Sequence, residues 1–145
     1  MTTITAAPTT STSTTSTKTK ATKSQIAGRV VTVLVTAFLA NDAVMHLINA
    51  EVVQNAQEKY GYPAWFDFVT GAVLVACLVL YVVPRTAVVG AVFLTGYLGG
   101  ATAVNLSYNE PAFITMSIGT GVVVWLALWL RGDERVRAIY APRSR

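Results

Sequence analysis

Residues 30–48 read VVTVLVTAFLANDAVMHLI, an apolar run broken in its last third by Asp42 and, four residues on, by the only histidine of the chain, His46. About 20 apolar residues in a helix, at about 1.5 Å per residue, cross the roughly 30 Å of hydrocarbon in a bilayer. The stretch therefore predicts a membrane-spanning helix, and Asp42 and His46 are the two residues that such a helix has to explain. Three further runs of similar length follow at 65–83, 86–104 and 112–130. The 145 residues are 53% apolar and only 12% charged, with a mean hydropathy of +0.52. Continuous apolar runs favour helices over a barrel, whose strands alternate over about 10 residues. The expected fold is all-α, an integral four-helix up-down-up-down bundle.

Topology follows from the short connections and the basic residues. Pro84 and Arg85 alone join the second run to the third. In an up-down arrangement Lys18, Lys20, Lys23, Arg29, Arg85, Arg131, Arg135, Arg137, Arg143 and Arg145 share one side, and Lys59 alone takes the other. Short loops rich in Lys and Arg stay in the cytoplasm, so both termini are expected inside and the protein in the inner membrane of a bacterium. The net charge of +4 reads as this topology signal and as an attraction to membrane lipid headgroups. No nucleic-acid motif is present, and a nucleic-acid partner is not expected.

Residues 1–28 include TTSTSTTSTKTKATK, too polar to bury anything, and are expected as a disordered cytoplasmic tail. The FLAND sequence at 38–42 lacks small residues at both recognition positions of a signal-peptide cleavage site and the apolar run resumes past Asp42, so the first helix is expected to be retained. Residues 29–131 form the expected transmembrane domain and 132–145 a basic cytoplasmic tail. The loop between the first two runs, NAEVVQNAQEKYGYPAWF, could prolong the first helix at its start. Gly61 suits a helix end, Pro63 suits the entry to the next helix, and Trp65 and Phe66 suit an aromatic belt. Tyr81, Trp125, Trp129 and Tyr140 are expected to anchor the cytoplasmic side in the same way.

On one helix Asp42, His46 and Asn49, spaced 0, 4 and 7, share a stripe. An ionisable residue at membrane depth faces the bundle interior or a wet cavity, with a partner, and for Asp42 the expected partner is His46, one turn on. Asp42 lies about 9 Å below the external boundary at 1.5 Å per residue. Asp67 enters the second helix from that side, Asn105, Tyr108 and Glu110 leave the third helix there, and Tyr97 lies about 11 Å deeper than Val104 by the same rise. Two readings of this cluster stand side by side. In one it staples helices together, with interhelical hydrogen bonds worth about 0.6 kcal/mol each. In the other, Asp42 and His46 are catalytic candidates, exchanging a proton with a small lipophile in an external-half pocket, and Asn49, Asp67, Tyr97 and Asn105 are candidate ligand-binding residues.

In the third run Gly96 and Gly100 form a GxxxG pair, with Thr95–Gly99 and Gly99–Ala103 repeating the spacing. Gly96, Gly99 and Gly100 are thus expected at a close helix contact, within the bundle or between copies in a homo-oligomer. One histidine cannot supply two axial haem ligands, and with scattered carboxylates it is thin for zinc, so no metal is expected. A lone Cys77 removes internal disulfide and CxxC chemistry.

The order Asp42, His46, GYP at 61–63, PRTAVVGAVFLTGYLGGATA at 84–103 and VVVWLALWLRGDERVRAI at 122–139 resembles the DoxX-like family of small four-helix bacterial membrane proteins. The likeness covers about the last 115 residues, and the TGYLGGA core of the third helix is its most specific part. First members of that family were associated with quinone-linked thiosulfate oxidation or terminal oxidase complexes. The resemblance thus implies an accessory, redox-associated membrane subunit with membrane redox proteins as partners, without supplying a catalytic residue set. Four-helix membrane folds distantly similar to it include sterol isomerases. That leaves a quinone- or isoprenoid-binding protein, or a proton-shuttling isomerase, as the alternative. A transporter ranks third, since four helices would need at least a dimer to build the usual repeat architecture.

Overall fold

The computed structural model describes residues 22–63, 65–132 and 136. Its elements are α1 (Lys23–Leu47), α2 (Glu51–Tyr60), α3 (Trp65–Val82), α4 (Ala87–Ser107) and α5 (Pro111–Arg131), with no strand among the described residues. All but α2 are long and apolar enough to cross a membrane.

The helix α1 starts earlier than the apolar run does. Thr22 accepts a hydrogen bond from the Gln25 backbone N–H, and the Gln25 side chain accepts one from the Thr22 N–H. This reciprocal capping box satisfies two of the orphan donors of a helix start. The expected tail 1–28 is corrected accordingly: Thr22 caps α1 and residues 23–28 are helical, while residues 1–21, like most of the tail 132–145, lie outside the described residues. Within 132–145, Gly132 (φ 75°) closes α5, and Val136 is buried in the core.

Three helix ends close in the same way. At Asn49 (φ 51°), Gly61 (φ 70°) and Asn109 (φ 55°) the backbone turns left-handed. The next N–H then returns to a carbonyl five residues back: Ala50 to Met45 at 2.9 Å, Tyr62 to Gln57 at 3.1 Å, Glu110 to Asn105 at 2.9 Å. Gly and Asn tolerate this conformation, and the paired bonds satisfy carbonyls a helix end would otherwise leave open. The end of α1 falls at Leu47, so α2 is a separate helix rather than a prolongation of the first. Pro111 opens α5, where a missing N–H costs nothing.

The four long helices form a ring: α1 packs on α3 and α5, and α4 packs on α3 and α5. Leu39, Leu74, Leu94, Val124 and Leu128 fill the centre. Val33, Phe38, Val73, Val92, Phe93 and Val122 point outward, as suits a molecule whose surroundings are as apolar as its core. Most hydroxyls in the spans, such as Thr32, Thr70, Thr95, Thr102 and Ser117, donate to the carbonyl four residues back, which spares lipid an unpaired donor.

Tyr81 is wholly buried and donates its hydroxyl to the Val124 carbonyl at 2.9 Å. It is an interhelical hydrogen bond, not the interfacial anchor expected of it. Trp125 likewise turns its indole N–H to Thr95 Oγ1 at 2.9 Å, tying α5 to α4. Tyr140 lies outside the described residues.

Close helix approaches occur at glycines other than the expected ones. A Cβ on Gly28 would strike the backbone of Leu130 and Arg131, bringing the start of α1 against the end of α5, and one on Gly90 would strike the backbone of Leu80 and Tyr81. A Cβ on Gly96, Gly99 or Gly100 would meet nothing within 4 Å. Their expected role in packing inside the bundle is therefore corrected: the TGYLGGA stripe turns its small residues outward because Leu94, Tyr97 and Leu98 occupy the inner face.

Candidate polar site at one end of the bundle

His46 lies in the last turn of α1 and Asp67 in the first turn of α3. The partial charges at those two helix ends favour a cation and an anion respectively. Between the helices His46 Nδ1 stands 3.3 Å from Asp67 Oδ1. The pair has the separation of an ion pair without the alignment of a hydrogen bond, and both His46 Nδ1 and Asp67 Oδ2 are buried with no hydrogen-bond partner among the described residues. Asp67 side-chain exposure is 6% and that of His46 is 20%. The expected pairing of Asp42 with His46 is corrected: the imidazole turns across to α3, while Asp42, half-buried one turn deeper on α1, feels His46 only through space.

Gly71 makes this meeting possible. It sits one turn after Asp67, and a Cβ there would come within 3.0 Å of the Ala43 carbonyl, His46 Cβ and Leu47 Cγ. Sequence reasoning missed Gly71, although its signal was present as a small residue four positions after a carboxylate, on the same helix face.

The other predicted site residues separate into two groups. Tyr97 is half-buried on α4 and packs against the core, on the inner face of the bundle. Asn49 does not pack there. Left-handed and exposed beyond the end of α1, it lends its carbonyl to the Gln54 side chain at 2.8 Å. Asn105 donates its amide to the Ala101 carbonyl of its own helix at 2.8 Å, so it staples nothing.

At the same end of the bundle α2 reaches the α4–α5 junction. Lys59 pairs with Glu110, the Tyr108 hydroxyl donates to the Tyr60 carbonyl at 2.7 Å, and the Tyr60 and Tyr108 rings stack at 4.2 Å. The hydrogen bond to Glu110, reinforced by its negative charge, holds the Lys59 amine protonated above the ordinary lysine range.

Two grooves face outward elsewhere. One of about 680 Å³ runs between α4 and α5 along Thr95, Gly99, Thr102, Gly121 and Trp125, and one of about 410 Å³ between α1 and α5 includes Leu34, Phe38, Met116 and Gly119. Neither is lined by Asp42, His46 or Asp67. Among the described residues no group of three or more His, Cys, Asp or Glu side chains could hold a metal ion.

A helical bundle with four apolar spans and a polar cluster between them defines a polytopic membrane protein. The model of the DoxX-like family matches residues 30–127, and the chain belongs to that family. No curated protein and no solved structure matches it.

Proposed function

We propose that this DoxX-like membrane protein is a redox-associated accessory subunit that receives the polar head of a small lipophile, of the quinone or isoprenoid class, at His46, Asp67, Asp42 and Tyr97. The observation that carries the reading is that the buried atoms His46 Nδ1 and Asp67 Oδ2 make no hydrogen bond among the described residues, although Nδ1 stands 3.3 Å from Asp67 Oδ1. A buried polar group left without a partner costs about 1–3 kcal/mol, a cost that a ligand offering complementary polar atoms would remove.

The residues fit such a head group in kind. A quinone carbonyl accepts from an imidazole N–H or from the Tyr97 phenol, and the hydroxyl of a quinol or isoprenoid alcohol donates to Asp67 Oδ2. When bound, a quinone supplies two-electron, two-proton redox chemistry. Imidazole takes up and releases protons near neutral pH, and a carboxylate beside it fixes which ring nitrogen carries the proton. His46 is thus the group that holds or moves a proton, and Asp67 positions it. Asp42, half-buried one turn deeper on α1, adds a further polar group to the same site.

The same reading sets the chain in the inner membrane of a bacterium, up-down-up-down with both termini inside. That orientation rests on the ten basic residues assigned to one side against Lys59 on the other, and on the contacts of Gly28 with Leu130 and Arg131.

The test is native mass spectrometry of protein extracted gently from its own membranes, wild type beside His46→Ala, Asp67→Asn and Asp42→Asn, with thermal stability recorded on each. A defined lipophile on the wild type and its loss from equally stable variants is the expected result. Absence of any adduct, with all three variants much less stable, would make the cluster a staple between α1 and α3 and refute the proposal.

A further inference from the structure

The chain leaves α1 at Leu47, one residue after His46, and α3 begins at Trp65, two residues before Asp67, so the connection between them starts and ends beside the 3.3 Å pair. Its middle is α2, whose Val53, Ala56, Gln57 and Tyr60 turn inward at helical spacing while its charged residues face out. Its far end is fastened to Tyr108 and Glu110 at the α4–α5 junction. With its start following α1 and its far end fastened at the α4–α5 junction, α2 links these elements at the end of the bundle that holds His46 and Asp67.

We propose that α2 (Glu51–Tyr60) is a strap at the end of the bundle that holds the polar site, and that it admits a ligand head group when Lys59 and Tyr60 release Glu110 and Tyr108. The strap rests on the reading of the cluster as a site. Its fastening suits release: an exposed ion pair is weak and screened by salt, and Tyr60 and Tyr108 add one hydrogen bond and one ring stack. Among the described residues the extensive helix contacts lie among α1, α3, α4 and α5, so moving α2 breaks none of those. Left-handed turns at Asn49 and Gly61 bound the segment that would move.

His46 is the only histidine in the chain, so its acylation by diethyl pyrocarbonate, read as the mass of its peptide, reports access to the site without any ligand. The full chain in lipid nanodiscs is compared with the double variant Tyr108→Phe, Glu110→Gln, and with Lys59→Cys, Glu110→Cys bridged by a short bis-maleimide. Releasing the strap is expected to raise the His46 rate about fivefold, the order of effect of losing one or two weak contacts, and bridging it is expected to lower the rate below wild type. Equal rates in all three would overturn the strap, as would faster hydrogen exchange across α1 and α3 in the released variant. Because no lipophile is involved, the result stands apart from the outcome of the binding experiment.

Discussion

His46 and Asp67 are each placed where a helix end favours their charge, yet the contact between them is off-line. A staple and a binding site therefore predict different energetics. Off-line geometry predicts a coupling below about 1 kcal/mol in a double-mutant cycle on His46→Ala and Asp67→Ala, near the average of about 0.6 for hydrogen bonds between membrane helices. Unfolding in mixed micelles measures it, and a coupling above about 2 kcal/mol would favour the staple. The sequence made His46, Asp67, Asp42 and Tyr97 legible because ionisable and phenolic groups are conspicuous among apolar residues. It misled at Asn49 because a spacing of 0, 4 and 7 has meaning only while the helix lasts. The Ile-Asn-Ala ending is a helix stop whose geometry outweighs the stripe. It also misled at Tyr81, since an aromatic near a span end reads as a belt residue unless the carbonyl it reaches is known.

At the scale of the elements the spans were legible and their contacts were not. Hydropathy marks which segments enter lipid, but outward and inward faces of such helices are both apolar, so the pattern does not say which face is inner. That is why GxxxG pointed to Gly96, Gly99 and Gly100 while the close approaches fall at Gly28, Gly71 and Gly90. The short helix α2 was missed because ten mixed residues carry too little periodicity to separate it from a loop or from the helix before it. The glycines give a paired prediction. Gly90→Ala is expected to destabilise the bundle by about 1–3 kcal/mol, since its methyl group meets the backbone of Leu80 and Tyr81. Gly99→Ala is expected to be neutral or to stabilise by up to about 1 kcal/mol, since its methyl group meets nothing and alanine is the better helix former. Thermal unfolding of both variants at low protein concentration checks this, and a loss of stability in Gly99→Ala would mean that a second copy packs on the outward stripe.

At the scale of the whole molecule, charge and hydropathy divide the labour. The apolar skin fixes that the bundle sits in lipid, since Val33, Phe38, Val92 and Phe93 have no other solvent to suit them, and it is indifferent to which end faces the cytoplasm. The basic residues break that symmetry. Ser24, hydrogen-bonded to the Leu130 carbonyl at 3.2 Å, belongs to the end where α1 starts and α5 finishes, with Lys23, Arg29 and Arg131 close in sequence. Asn55 is exposed on α2, at the opposite end with the polar cluster and its strap. A membrane-impermeant maleimide applied to intact cells of the expression host is therefore expected to label Asn55→Cys at once and Ser24→Cys only after permeabilisation, with Cys77 silent because it is buried. The reverse pattern would invert the molecule and turn the polar site toward the cytoplasm. Labelling of both from outside would mean that α1 does not cross, and would remove the lipid setting that gives the buried His46–Asp67 pair its cost. The expected pattern would set the polar cluster and α2 at the outer surface.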